Sequence, residues 1–253
     1  MKKWIAFGAA AAIALARIGA PVAIAAPTGG YAVFTQCPIN AAKVNGCLYA
    51  PVEGGYITLG KTVVPIAKTL VLQAGLLREE QEFLKYLVGA LDDETLTKVS
   101  LPLPGGLFGL PLYAVTELAA PAGSISLNTG LGSGNILLTL PIKVRLVNHL
   151  LGAECTIGTN AHPIELNLTS GTSGGLTGNH GTESIIAEGG IDVVRSVVLV
   201  ESGFAVPGAN GCGSAFVDEA VDAKVGIPSN SNRIVFDSKI ELANSELVEE
   251  HVG

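Results

Sequence analysis

In NILLTLPIKVRLVNHLL, residues 135–151, the apolar character recurs at every second position. Ile136, Leu138, Leu140, Ile142, Val144 and Leu146 share one face, while Thr139, Lys143 and Arg145 share the other. Side chains of an extended strand alternate between two faces, so this segment fits a half-buried strand and not a helix. PIELNLTSG repeats the habit with Ile164, Leu166 and Leu168. NRIVFDSKIEL repeats it with Ile234, Phe236, Ile240 and Leu242 set against Arg233, Asp237, Lys239 and Glu241.

Gly, Pro and Asn punctuate these runs, and the chain holds 32 glycines and 13 prolines. Around Ile57 to Leu72 the pattern predicts strands broken at Gly60 and Pro65. LPLPGGLFGLPLYAV is apolar, but its prolines and glycines argue against a long regular element. EGGIDVVRSVVLVESGFAVPGANGCG reads as further strands, and SGTSGGLTGNHGTES as a flexible polar loop. Two segments carry helical spacing. In LLREEQEFLKYLVGALDDETL, Leu76, Leu77, Phe83, Leu84, Leu87, Val88 and Leu91 line up on one face. In SAFVDEAVDAKVGIP, Phe216, Val217, Ala220, Val221 and Val225 do the same, with Gly226 in the position of a capping glycine and Pro228 beyond. Closely spaced strands without regular intervening helices predict a mainly β fold, an antiparallel sandwich or barrel-like domain with one or two short α-helices.

The opening MKKWIAFGAAAAIALARIGAPVAIAAP has the layout of a secretory signal peptide. Lys2 and Lys3 precede an apolar run from Ile5 to Ala16, and Ala23-Ile24-Ala25 offers a cleavage pattern. Ala14-Leu15-Ala16 is an earlier alternative cut, and Arg17 is unusual inside such a peptide. The run is shorter than the roughly 20 residues that span a bilayer. Residues 1–25 are therefore expected to direct export, and 26–253 to form a single disulfide-linked β-rich domain. No later segment suggests a transmembrane anchor, and no sorting signal of the LPxTG kind follows.

Without Lys2, Lys3 and Arg17, the 15 basic residues fall to 12 against 22 acidic ones, a net charge of 12 − 22 = −10. That balance repels phosphate backbones, so nucleic acid is a poor partner. Only 15% of residues are charged and 5% aromatic, and the mean hydropathy is +0.47. The core must be built mainly from Val, Leu, Ile and Ala.

Cys37, Cys47, Cys155 and Cys212 are an even set in a chain expected to be exported, which favours disulfides. Nearness in sequence favours Cys37–Cys47, leaving Cys155–Cys212 to tie together both sides of the polar loop at about 170–182. Metal binding is the competitor, but no CxxC occurs and the histidines do not cluster with the cysteines. His149, Glu154, Cys155 and His162 match no ligand spacing either. No metal and no cofactor is expected.

Catalytic readings are equally thin. GTSGG matches G-x-S-x-G with Ser173 as nucleophile, yet LTGNHGTES beyond it has no helical pattern. In the order Ser, Asp, His, only His251 follows Asp192, Asp218 or Asp237. His162 lies too close to Ser173 for a chymotrypsin-like arrangement. Glu79, Glu80, Glu82, Asp92, Asp93 and Glu94 would need sugar-stacking aromatics to act as a glycosidase pair, and the one tryptophan, Trp4, sits in the export segment. Gly130-x-Gly132-x-Gly134 reads as a turn, and Asn167-Leu168-Thr169 matches the glycosylation sequon too readily to use.

TQCP and NGC, GAECTIGTNAHPIELNLTSGTS, FAVPGANGCG and GIPSNSN together resemble a group of secreted envelope proteins of actinobacteria that have no assigned function. The shared motifs are cysteines, glycines and turns, so the resemblance implies no catalytic residue; REEQEFLKYLVGALDDE departs from it. The expectation is a non-enzymatic exported protein of the cell envelope or extracellular space, with a structural or surface-interaction role toward an envelope component. The alternative is a carrier of lipids or other apolar molecules, with LPLPGGLFGLPLYAV lining a pocket or its mouth.

Overall fold

The computed structural model describes residues 25–77, 84–122, 126–128, 134–186 and 190–252. Apart from Ala25, the expected export segment lies outside the described residues. A 3-10 turn, Gly29–Phe34, leads into β1 (Val44–Leu59), β2 (Thr62–Pro65), β3 (Leu70–Leu77), β4 (Leu84–Val88), β5 (Ser100–Leu107), β6 (Leu110–Leu118) and β7 (Ser126–Asn128). Then follow β8 (Leu137–Val147), β9 (Thr156–Ile157), β10 (Ile164–Thr169), β11 (Thr172–Ser173), β12 (Leu176–Thr177), β13 (Thr182–Ile186), β14 (Ile191–Val206) and β15 (Ala209–Asn210). α1 (Ala215–Val225), β16 (Ser229–Asn244) and α2 (Ser245–Glu250) complete the chain.

The protein is mainly β, as the alternation predicts, and the pairings close on themselves. Hydrogen bonds run β10–β14–β16–β1–β3–β4–β7–β8, and β8 pairs back onto β10, every ladder being antiparallel. The result is a barrel-like ring, which leaves no open edge among those strands. β8 is the pivot. One edge carries β7 and then β6; the other carries β10 and then β9. β5 pairs with β6 and ends that branch.

The expected inward residues are inward. Ile136, Leu138, Leu140, Ile142, Val144 and Leu146 of the β8 segment are all buried, as are Ile164, Leu166 and Leu168 of β10. Lys143 and Arg145 on the outside of β8 form ion pairs with Glu117 of β6, Arg145 Nε lying 2.7 Å from Glu117 Oε1. An apolar interior and a charged exterior reverse the polarity of a barrel that sits in a bilayer. Among the described residues no helix is long and apolar enough to cross a membrane.

The long strands β1, β14 and β16 curve by irregularity. The β1–β16 ladder shifts register between Val52 and Gly54, and β14–β16 between Val194 and Val197. Such bulges bend a strand and increase its twist, which a closing wall requires. Gly55, just past the first shift, has φ +101°, and a Cβ there would stand 2.0 Å from the Val235 carbonyl oxygen. Only glycine fits.

α1 forms where the sequence predicts it and ends on Gly226 at φ 87°, whose N–H bonds the Asp222 carbonyl. Val221 and Val225 are fully buried against the barrel core, but Phe216 is 72% exposed and does not belong to it. The helix is tied on by Lys61 N–H to the Val225 carbonyl at 3.0 Å, and by the Asp218 and Asp222 carboxylates, which accept from Cys212 N and Ala209 N.

The first predicted helix is a correction. Leu76 and Leu77 lie in β3 and Leu84, Leu87 and Val88 in β4, paired Gly75 to Val88 and Leu76 to Leu87; residues 78–83 lie outside the described set. The reason is that Leu70, Leu72, Ala74 and Leu76 also satisfy a period of two, and their burial inside the ring selects it. Glu79, Glu80, Glu82 and Phe83 fall among the undescribed residues, and Leu91 is exposed outside any helix. Gly130 and Gly132 also lie outside the described set.

A smaller apolar cluster lies apart from the barrel core. Tyr31, Phe34, Cys37, Cys47, Ile191, Val193, Ala243 and Val248 join the segment before β1 to β1, β14, β16 and α2. The two ends of the described chain meet here: Pro27 bridges Val252, and Thr28 N–H bonds the His251 carbonyl at 3.0 Å. Tyr31 stacks on His251 with ring centroids 4.2 Å apart.

Candidate functional surface

Cys37 Sγ lies 1.98 Å from Cys47 Sγ, and Cys155 Sγ lies 1.96 Å from Cys212 Sγ, the pairing that nearness in sequence favours. All four cysteines are buried. The second bridge fastens the β9 end of the wall to the turn before α1.

The polar loop is not loose. Thr172–Ser173 and Leu176–Thr177 form a small hairpin over β14, with Gly174 and Gly175 both at positive φ in its turn. Ser173 Oγ accepts from Ser202 N–H at 3.0 Å, and Asn179 and Val198 exchange two backbone hydrogen bonds. Ser173 is thus a hairpin side chain fastening the loop to the wall, not the apex of a strand-to-helix elbow. Cys155 is used in a disulfide, and His149 and His162 are exposed loop residues. Among the described residues no three His, Cys, Asp or Glu side chains gather as a metal site would need.

The interior is the first place to look for a ligand. It is lined by apolar side chains of facing strands, among them Leu48, Leu72, Leu140, Leu166, Leu199 and Phe236, with Thr116 and Ser238 as the polar exceptions. The void among them has about 50 Å³. Small-molecule sites usually offer several hundred cubic ångströms, far more than this void.

One buried acid escapes any motif. Glu201 of β14 is 8% exposed, and its carboxylate accepts from Asn167 N–H of β10 at 2.7 Å. β10 and β14 share only the Thr169–Val200 pairing, so past it the strands separate and the carboxylate supplies the partner that the ladder does not. Burial pushes the Glu201 carboxyl above the usual carboxylate range, and the hydrogen bond from Asn167 pulls it partly back. Periodicity could not reveal it, because the residue occupies an apolar position in the sequence pattern.

The outer surface is uneven. From Val99 to Thr116 there is no charged residue, and these 18 positions build β5, the turn and most of β6, with Glu117 near the far end of β6 as the hairpin's charged residue. The inner face holds Leu101, Leu103, Leu107 and Leu112 in the core. On the outer face the ladders align Pro102 with Tyr113 and Tyr113 with Val147, so three exposed apolar side chains run across β5, β6 and β8. Leu107 pairs with Leu110 across a two-residue loop, Phe108-Gly109, with φ 50° and 78°. Both residues are left-handed, as a tight hairpin of the mirror-image type needs, and Asn-Gly is its usual sequence. Here the first position is phenylalanine, and it is 57% exposed. Asn148 Nδ2 donates to the Pro111 carbonyl at 2.7 Å, which draws exposed Leu150 to the same end.

No protein-family model, curated protein or solved structure matches the chain. The surface must be read from its own chemistry.

Proposed function

We propose that the protein is exported and acts without catalysing a reaction, as a rigid, disulfide-fastened β-barrel of the cell envelope or extracellular space that works by contact through its outer surface. The observation that carries this reading is the division of apolar side chains. The interior is filled to within about 50 Å³, while the β5–β6 hairpin leaves Phe108, Leu110 and Tyr113 outside. Isolated exposed apolar residues need no explanation, but an 18-residue charge-free stretch with an aromatic tip supports a contact surface. Two buried disulfides suit an oxidising compartment. The resemblance to secreted actinobacterial envelope proteins points the same way.

The test is turnover. Protein purified after export from cells expressing the full chain is expected to leave broad esterase, protease and glycosidase substrates intact. Robust activity that disappears in Ser173→Ala would overturn the reading. The carrier alternative requires the ring to open well beyond its present void, and a reproducible lipid mass on protein isolated from its own host would favour it.

A further inference from the structure

We infer that the β5–β6 hairpin is an interfacial anchor that inserts its tip, Phe108 and Leu110, into the surface of a neutral or zwitterionic lipid layer. This rests on the contact reading above and names the partner.

Three observations favour insertion into a lipid surface over strand addition by another chain. The first is backbone geometry: a phenylalanine in the left-handed region is disfavoured, and here the residue is 57% exposed. The loop nevertheless satisfies its own ladder through the Leu107–Leu110 pair, which a segment entering an apolar phase must do. The second is the edge. β5 is the last strand of its branch, and a partner chain could add there, but Pro102 and Pro104 lack N–H donors and the register shifts between Leu103 and Leu107. Strand addition by another protein or a second copy is therefore blocked. The third is charge. The tip half of the hairpin carries none: its one acid, Glu117, lies at the far end of β6 in ion pairs with Lys143 and Arg145, the Lys224 ammonium of α1 stands beside Gly105, and the chain as a whole is at −7. Electrostatic docking on anionic headgroups is ruled against, and what remains is apolar insertion, with Tyr113 set back from the tip on the outer face where an amphipathic ring meets headgroups.

The experiment uses the only tryptophan of the chain being Trp4, in the export segment. In exported protein Phe108→Trp is then the sole indole emitter. Phosphatidylcholine vesicles are expected to shift its emission to the blue, and adding phosphatidylglycerol to weaken the shift. In flotation with phosphatidylcholine vesicles, Phe108→Asn is expected to lose at least tenfold in partitioning while Leu91→Ser, an exposed apolar residue elsewhere, keeps the unsubstituted protein's value. A Phe108→Asn protein that melts no lower than the unsubstituted one excludes misfolding as the cause. The inference is overturned if unsubstituted protein does not float, if Leu91→Ser loses as much as Phe108→Asn, or if binding grows with the anionic fraction. It is also overturned if sedimentation without lipid shows a dimer that Phe108→Asn dissolves. None of these outcomes produces turnover, so failure here is distinct from failure of the non-enzymatic reading.

Discussion

β8 and the β5–β6 hairpin lie side by side, joined by the ladder from Tyr113–Val147 to Leu118–Ile142, yet they treat their outer faces differently. β8 sends leucine, isoleucine and valine inward and Lys143 and Arg145 outward, where Glu117 meets them. The hairpin sends leucines inward too, but beyond Glu117, toward its tip, its outer face is Pro102, Tyr113 and Phe108. Adjacent strands of one sheet thus share an inner face and diverge on the outer. Stability resides on the shared inner side; the outer side is free to be chosen for contact. Substitutions that separate these two roles test that division.

The largest effect is expected at the staple of the wall. In the chain-entropy account a bridge across a 57-residue separation contributes about 4 kcal/mol and one across 10 residues about 2.7 kcal/mol. Cys155→Ala with Cys212→Ala is therefore expected to lower the denaturation midpoint more than Cys37→Ala with Cys47→Ala. Equal losses would mean that the smaller terminal cluster matters to the barrel as much as the wall does. Next comes Leu166→Ala in β10, whose side chain is 1% exposed and borders the interior void. It is expected to cost about 3 kcal/mol, against about 0.5 kcal/mol or less for Tyr113→Ser on the outer face of the hairpin. Comparable costs would sink the distinction between the two faces.

A smaller effect, with a defined sign, is expected at Glu201. Its carboxyl has a higher pKa in the folded barrel than in the unfolded chain, because burial disfavours the charge. The folded state then holds the proton to higher pH, so the contribution is fully present below the unfolded value and is lost as pH rises through the folded one. Glu201→Gln keeps an acceptor for Asn167 N–H and removes the charge. Across pH 4 to 7 the variant is expected to gain on the unsubstituted protein as pH rises. Melting curves that diverge the other way would mean that the ionised carboxylate is the favoured form in the seam between β10 and β14.

Much of the wall was legible in sequence. The alternation in residues 136–146, 164–168 and 234–242 and the glycine stop after α1 each reflect a local rule, so local reading recovers them. Where two rules compete, local reading fails: the leucines of 70–91 satisfy both periods, and only closure of the ring chooses the strand. Glu241, expected on the exposed face, is buried because its register sets it between Tyr49 and Val193 beside the terminal cluster, with Lys239 as ion partner. LPLPGGLFGLPLYAV falls within two strands, Ser100–Leu107 and Leu110–Leu118, because Gly105 and Gly106 take positive φ and absorb the irregularity. Its outer face could not be read as a surface, because nothing in the sequence says which apolar residues the rest of the fold leaves uncovered.

The smallest effect is the most discriminating. Phe108 holds φ 50° at the first position of a loop that prefers Asn-Gly, so Phe108→Asn places there a residue that tolerates the left-handed region. The substitution gives up only the covered part of the ring, since the residue is 57% exposed. A gain of about 0.5 kcal/mol is expected, read as a small rise in melting temperature with unchanged cooperativity. A loss of stability would mean that the ring packs on the barrel in solution, and the contrast between a buried wall and a free tip would fail. A gain would mean that the fold carries a residue unfavourable to its own stability at an exposed turn. A residue of that kind is what the proposed contact at the tip would use.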